Sequence, residues 1–137
     1  MSIMKMFTTA ASALDAQSVR LNLVASNLAN AQTVSDSAET AYRAKYPVFA
    51  EVLEQTNGEV ESKGVRIASI VEGKAEPQRR FEPGHPLADE EGYIYGSNVS
   101  AIEEMANMMS ASRSYQNNVE VMTTSKELAL RTLSMGR

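Results

Sequence analysis

Apolar positions at the start of the chain recur with a heptad period. Phe7, Leu14, Leu21 and Leu28 stand seven apart, and a second row of Ile3, Ala10, Gln17, Val24 and Ala31 runs three or four positions from them. This is the spacing of a helix that offers a seam to another helix. Continued through Ala31, it predicts a helix about 45 Å long at 1.5 Å per residue. The seam is thin, because Ala10, Gln17 and Ala31 bury little area, so the helix requires a partner rather than standing alone. A second pattern supplies one. Ile102, Met105, Met109, Val119, Met122, Leu130 and Leu133 keep three-four spacing, interrupted by Ser112, Gln116 and Lys126. Ser100 and Glu103 open it with the spacing of a capping box. Two terminal helical arms, paired antiparallel with apolar surface left for other subunits, are the expected arrangement.

Between the arms the period changes. Val48, Ala50 and Val52 alternate as a strand after Tyr42–Pro47, Thr56-Asn57-Gly58 carries a hairpin signal, and Val65, Ile67 and Ile70 mark a second strand within Gly64–Glu72. Gln78–Phe81 and Gly92–Gly96 add short strands, joined by a loop through Pro83-Gly84-His85-Pro86. Val34–Ala41 reads as a linker. Six of the seven glycines and all four prolines fall in Pro47–Gly96, whereas all eight methionines fall in the arms. The fold class is therefore α+β: long N- and C-terminal helices form an antiparallel coiled-coil-like pair around a small β-rich middle unit. The expected division is residues 1–35 as the N-terminal arm, 36–96 as the middle unit and 97–137 as the C-terminal arm. The two arms together make one discontinuous helical domain.

Composition narrows the function. In 137 residues, 17 acidic side chains oppose 13 basic ones for a net charge of −4, and no stretch gathers Lys and Arg into a phosphate-tracking patch, which argues against nucleic acid. Cysteine is absent, removing thiolate metal sites and a cysteine nucleophile. No apolar run approaches the roughly 20 residues that span a bilayer, and the first residues lack the features of a cleaved signal peptide. His85, the single histidine, has Glu82, Asp89, Glu90 and Glu91 near it in sequence. A hydrolase built around it is the enzymatic alternative. Set between two prolines, it reads more simply as a residue that fixes its loop by a side-chain hydrogen bond. No catalytic residue, metal ligand or cofactor site is assigned, and the chain is not expected to be an enzyme. Asn22, Asn27 and Asn30 are poor interior helix residues; their amides read as end-capping groups or as contacts to adjacent chains.

The run Ser12-Ala13-Leu14, then Arg20-Leu21, then Ala25-Ser26-Asn27-Leu28-Ala29-Asn30-Ala31-Gln32-Thr33 resembles the N-terminal signature of bacterial flagellar rod, hook and hook-associated proteins. Tyr42-Arg43-Ala44-Lys45, Pro83-Gly84-His85-Pro86, Gly92-Tyr93-Ile94-Tyr95, Asn98-Val99, Glu103-Glu104-Met105 and Ser110 through Glu120 resemble the proximal rod members of that family. Ala41, where many relatives place proline, and Gly96-Ser97, in place of a bulkier apolar residue and proline, depart from the pattern in loops only. The resemblance implies a non-enzymatic structural subunit of the basal-body rod that assembles helically, transmits torque and lines the export channel. It further implies a place in the periplasm-spanning rod, reached through the flagellar type III export apparatus without a cleaved signal peptide. The implied partners are other proximal and distal rod proteins, the rod–ring junction protein and copies of the chain itself. The residues expected in the packed arms and their subunit contacts are Phe7, Leu14, Leu21, Asn27, Leu28, Asn30, Met105, Met109, Tyr115 and Val119. A free-standing coiled-coil adaptor of small defined oligomer is the alternative.

Overall fold

The computed structural model describes residues 3–56 and 59–136. Helix α1 (Ile3–Ala29) is followed by strands β1 (Val34–Ser35), β2 (Lys45–Thr56), β3 (Glu59–Glu72), β4 (Gln78–Phe81) and β5 (Tyr93–Gly96), and the chain closes with α2 (Ala101–Met135). The α+β class and the element order follow the sequence. The strands run longer than alternation suggested, since β2 begins at Lys45 and β3 at Glu59. The hairpin signal at Asn57-Gly58 lies outside the described residues.

β2 and β3 pair as a two-stranded antiparallel ribbon. The other sheet has the order β1-β5-β4, with Val34 opposite Gly96 and Ser35 opposite Tyr95 on one side of β5. On its other side Gln78 faces Gly96, Arg80 faces Ile94 and Phe81 faces Tyr93. The segment expected to be a linker therefore contributes an edge strand. Two residues suffice because β5 already has its second partner in β4.

The chain divides into two compact units, and the division cuts across the elements. One contains Met1–Leu21, Pro47–Ser69 and Ser110–Arg137; the other contains Asn22–Tyr46 and Ile70–Met109. Each takes part of both helices and part of the β structure. In the first unit Ala10, Ala16, Ala111 and Ser125 are buried; in the second the core holds Val24, Asn27, Ala41, Ala44, Ile94, Ser97, Val99 and Glu104. Small and polar residues dominate both cores. Specificity there must come from hydrogen bonds and close approach rather than from bulk apolar burial.

The helices run antiparallel. The end of α1 meets the first turn of α2 through Asn27 and Glu104. Near the start of α1, Met6 shares a groove of about 340 Å³ with Asn117, Val121, Ser125 and Leu128 of α2. On α1 both expected rows are turned inward: Phe7, Leu14, Leu21, Leu28, Ile3 and Gln17 are half-buried, and Ala10 and Val24 buried, while Ala31, expected to continue the helix, is half-buried in the turn after it. On α2 the inward row is different from the one expected. It consists of Glu104, Ala111 and Ser125, all buried, with Met108, Tyr115, Asn118, Met122 and Ala129 half-buried beside them. Ile102, Met105, Met109, Val119, Leu130 and Leu133 are exposed, so only Met122 of the expected seam packs inward. The inward row is a true heptad in position but not in hydrophobicity, since small side chains let helix backbones approach closely. Two of its polar members are satisfied on their own helix, Asn118 Nδ2 donating to Ser114 O at 2.9 Å and Ser125 Oγ to Val121 O at 2.7 Å, whereas Glu104 accepts from Asn27 of α1.

Candidate assembly interface

Side-chain amides fix the ends of the elements against one another. Asn27 has no exposed surface and uses its whole hydrogen-bonding capacity. Its Nδ2 donates to Lys45 O and to Glu104 Oε2, both at 3.0 Å, while its Oδ1 accepts from Lys45 N at 2.9 Å and Tyr42 Oη at 3.0 Å. One side chain thus pairs with the backbone of Lys45 as a neighbouring strand would, and ties the end of α1 to the start of β2 and to α2. Glu104 is 1% exposed, and its Oε1 accepts from Asn107 Nδ2 at 3.3 Å. A carboxylate so near a helix N-terminus is also favoured by the helix dipole. Next to it the Tyr46 hydroxyl is held above its ordinary pKa, first by burial and then by the Glu104 and Glu103 carboxylates.

Asn98 repeats the device from the other side. Its Oδ1 accepts from Ala44 N at 2.7 Å, and its Nδ2 donates to Gly73 O at 3.1 Å and Ala75 O at 2.8 Å. Gly73 N returns a bond to Ala44 O at 2.7 Å. Residues 44 and 45, the entry to the ribbon, are therefore gripped by two asparagines on successive backbone groups. Ser97 adds a third tie through Oγ to Ala31 O at 2.8 Å.

In the other unit the tie is a serine against a glycine. Ser12 Oγ donates to Thr9 O at 2.8 Å and accepts from Val65 N at 3.1 Å, and Thr9 Oγ1 reaches Lys63 O at 3.3 Å. The approach requires Gly64: its φ is +145°, and a Cβ there would collide with Ser12 Oγ and crowd Ser12 Cβ at 3.1 Å. Lys5–Glu61 and Lys63–Glu54 pairs lie at the surface of the same unit. The Lys5 ammonium, by hydrogen bond and by charge, holds the Glu61 carboxyl below its ordinary pKa.

The loop between β4 and β5 is fixed by Asp89. Its Oδ1 accepts from Tyr93 N at 2.8 Å and Glu91 N at 3.0 Å, and its Oδ2 from Tyr95 Oη at 3.1 Å. The Tyr93 amide is the largest of the causes that hold the Asp89 pKa down. His85 Nδ1 accepts from Leu87 N at 3.1 Å, the loop-fixing role its flanking prolines suggested. Arg79 lies 3.7 Å from the Tyr93 ring centroid and bonds Glu91 at 2.8 Å.

The free face is the outer side of α2. Ile102 is 83% exposed, Met109 67% and Leu133 72%, with Met105, Val119 and Leu130 on the same stripe. Ser112, Gln116, Thr123 and Lys126 interrupt this row of exposed apolar side chains. Of the ten residues expected at subunit contacts, Met105, Met109 and Val119 stand on this stripe. Phe7, Leu14, Leu21, Leu28 and Tyr115 are half-buried in the packed arms. Asn27 is wholly interior, and Asn30, half-buried, donates from Nδ2 to Ser26 O of its own helix at 2.8 Å. Sequence reasoning missed Asn98, Glu104, Ser12 and Gly64 as fixing residues. Their signal was there in part: a buried helix-start glutamate and a lone glycine inside a strand pattern both ask for a structural reason.

Residues 7–34 match a family described as flagella basal body rod protein, and residues 90–135 match the flagellar basal body rod FlgEFG protein C-terminal family. Over the full length of both chains the sequence is 49% identical to the flagellar basal-body rod protein FlgC of Yersinia enterocolitica and 47% identical to that of Salmonella typhimurium. A relative in Buchnera aphidicola subsp. Acyrthosiphon pisum is 38% identical over 98% of each chain. The chain belongs to the FlgC family of flagellar basal-body rod proteins. The two matched segments fall on α1 with its following turn and on β5 with α2, the same segments that supply Asn27, Ser97, Asn98 and Glu104. In this FlgC-family chain the two matches cover nearly all of both helices, and Asn27, Ser97, Asn98 and Glu104 lie within them. Among the described residues no helix is long and apolar enough to cross a membrane.

Proposed function

We propose that the chain is a structural subunit of the proximal part of the flagellar rod, joined to its neighbours through the exposed apolar stripe of α2. Full-length similarity to flagellar basal-body rod proteins supports the rod role and disfavours a free-standing adaptor. The observation that carries the assembly reading is the division of α2 into two faces. A small, polar, internally satisfied row packs within the chain, and a bulky apolar row is left uncovered. Its neighbours would be copies of itself and other proximal and distal rod proteins, with the rod–ring junction protein at one end. Contacts that do not close on themselves generate an open helical array, as a shaft around an export channel requires. Delivery by the flagellar type III apparatus, without a cleaved signal peptide, belongs to this reading, as does a position in the periplasm-spanning rod. The work is mechanical rather than catalytic: torque entering one subunit is carried across the ribbon entry by the Asn27 and Asn98 ties instead of being lost in loop movement.

Met109→Lys tests this. The site is exposed, so the isolated chain should keep its stability within about 0.5 kcal/mol. A strain carrying only this variant should lack rods and motility. Normal swimming with wild-type rod yield would overturn the assembly role of the stripe.

A further inference from the structure

Among the described residues the methionines divide by exposure. Met105 and Met109 are 57% and 67% exposed and stand four residues apart, side by side on the face of α2 that also carries Ile102. Both lie in the second compact unit. Met108, on the same turn, is half-buried in the inward row, and Met6 and Met122 are half-buried as well. Exposure decides what a thioether can undergo. Its sulfur lone pair attacks one oxygen of hydrogen peroxide, the O–O bond breaks, and the products are a sulfoxide and water. Sulfur loses two electrons and the peroxide gains them, so access to the sulfur is the one requirement. Ile102, Val119, Leu130 and Leu133 offer no such chemistry. The two thioethers are therefore the oxidisable positions of this face.

We propose that Met105 and Met109 form a reversible oxidation site: hydrogen peroxide converts both to sulfoxides and leaves the subunit folded but unable to join its neighbours. The loss of assembly rests on the function proposed above, whereas the reactivity of the two sulfurs does not. Folding and assembly respond differently because of where the new dipole sits. Both side chains are more than half exposed, so in the free subunit the sulfoxide oxygen is hydrated and the fold loses little. In a dry contact between subunits the same oxygen is a buried acceptor without a partner. Two of them on neighbouring turns place that penalty twice on one patch. Methionine sulfoxide reductases, one for each sulfur epimer, return the thioether. An oxidised subunit is thus recoverable, and the free subunit is the sensitive form, because incorporation covers the sulfurs.

Hydrogen peroxide added to the purified full chain, with each methionine followed by peptide mass spectrometry, tests the site. Met105 and Met109 should oxidise at least about threefold faster than Met108 and Met122, in line with their exposure. The urea midpoint should not move, and the two reductases together should restore the original mass. Equal rates at the four sulfurs, or unfolding as the fast pair reacts, overturn the proposal. In strains carrying one form of the chain only, Met105→Gln combined with Met109→Gln puts a polar amide where each sulfoxide would stand, and rods should be lost. Met4→Gln, at a methionine 70% exposed on α1 and outside the stripe, should keep them. Rods in the first strain, or their loss in the second, overturn the proposal. Met109→Lys judges the assembly reading separately. If it blocks rods and the glutamine pair does not, the oxidation site fails and that reading stands; if neither blocks rods, both fail.

Discussion

Asn27 shows how much one side chain can organise when its donors and acceptors are all used inside the protein. Replacing it with alanine removes four hydrogen bonds and strands Glu104 Oε2 and both backbone groups of Lys45. Buried groups left without partners cost about 1–3 kcal/mol each before relaxation. We expect Asn27→Ala to destabilise the chain by about 2–4 kcal/mol in urea unfolding, with Asn27→Leu no better despite its matched size. Gly64→Ala should cost about 1–3 kcal/mol, because it combines backbone strain with the collision at Ser12. A double-mutant cycle with Ser12→Ala should recover only the part due to the collision. Asp89 gives a pH signature. Its folded-state pKa is lowered, so its contribution is present above the unfolded carboxylate value of about 3.9 and is lost as pH falls through the folded value. The Tyr93 and Tyr95 resonances should shift together in that acid window. In Asp89→Asn this acid transition should vanish, and its persistence would point to another group.

At the scale of elements, the two helices behave differently although both were legible as helices. Heptad spacing located α1 and its packed rows, because there the apolar residues do face inward. On α2 the same logic selected the wrong face. Ile102, Met105 and Met109 look like a core seam by hydrophobicity, yet Glu104, Ala111 and Ser125 are the buried residues, Glu104 bonded to Asn27 and Ser125 to its own helix. Periodicity reports where apolar residues are, not which of two faces has a partner within the same chain. The short strands β4 and β5 were readable from their flanking Gly and Pro. β1 was not, because two residues carry no period and its pairing with β5 depends on chain neighbours brought together by the fold. The Asn98 tie was equally unreadable, since its partners at Ala44, Gly73 and Ala75 lie 23 to 54 positions away. At this scale we expect Ala111→Leu to destabilise the chain by about 1–3 kcal/mol through overpacking. Val119→Ala, on the exposed face, should change stability by less than about 0.5 kcal/mol while weakening assembly.

For the whole molecule, the proposed function separates two tasks: interior amides and small residues would fold the subunit, and the outer stripe of α2 would join it to the rod. The sequence resemblance reached the family and the structural rod role, because its motifs run through nearly the whole chain. A density map of the assembled rod with each chain traced tests that separation most directly. The account predicts Ile102, Met105, Met109, Leu130 and Leu133 within about 4.5 Å of apolar atoms of an adjacent chain, with Asn27 still bonded to Lys45 and Glu104 of its own chain. A stripe facing open solvent or the bare channel wall, or an Asn27 turned outward into a neighbouring subunit, would contradict it.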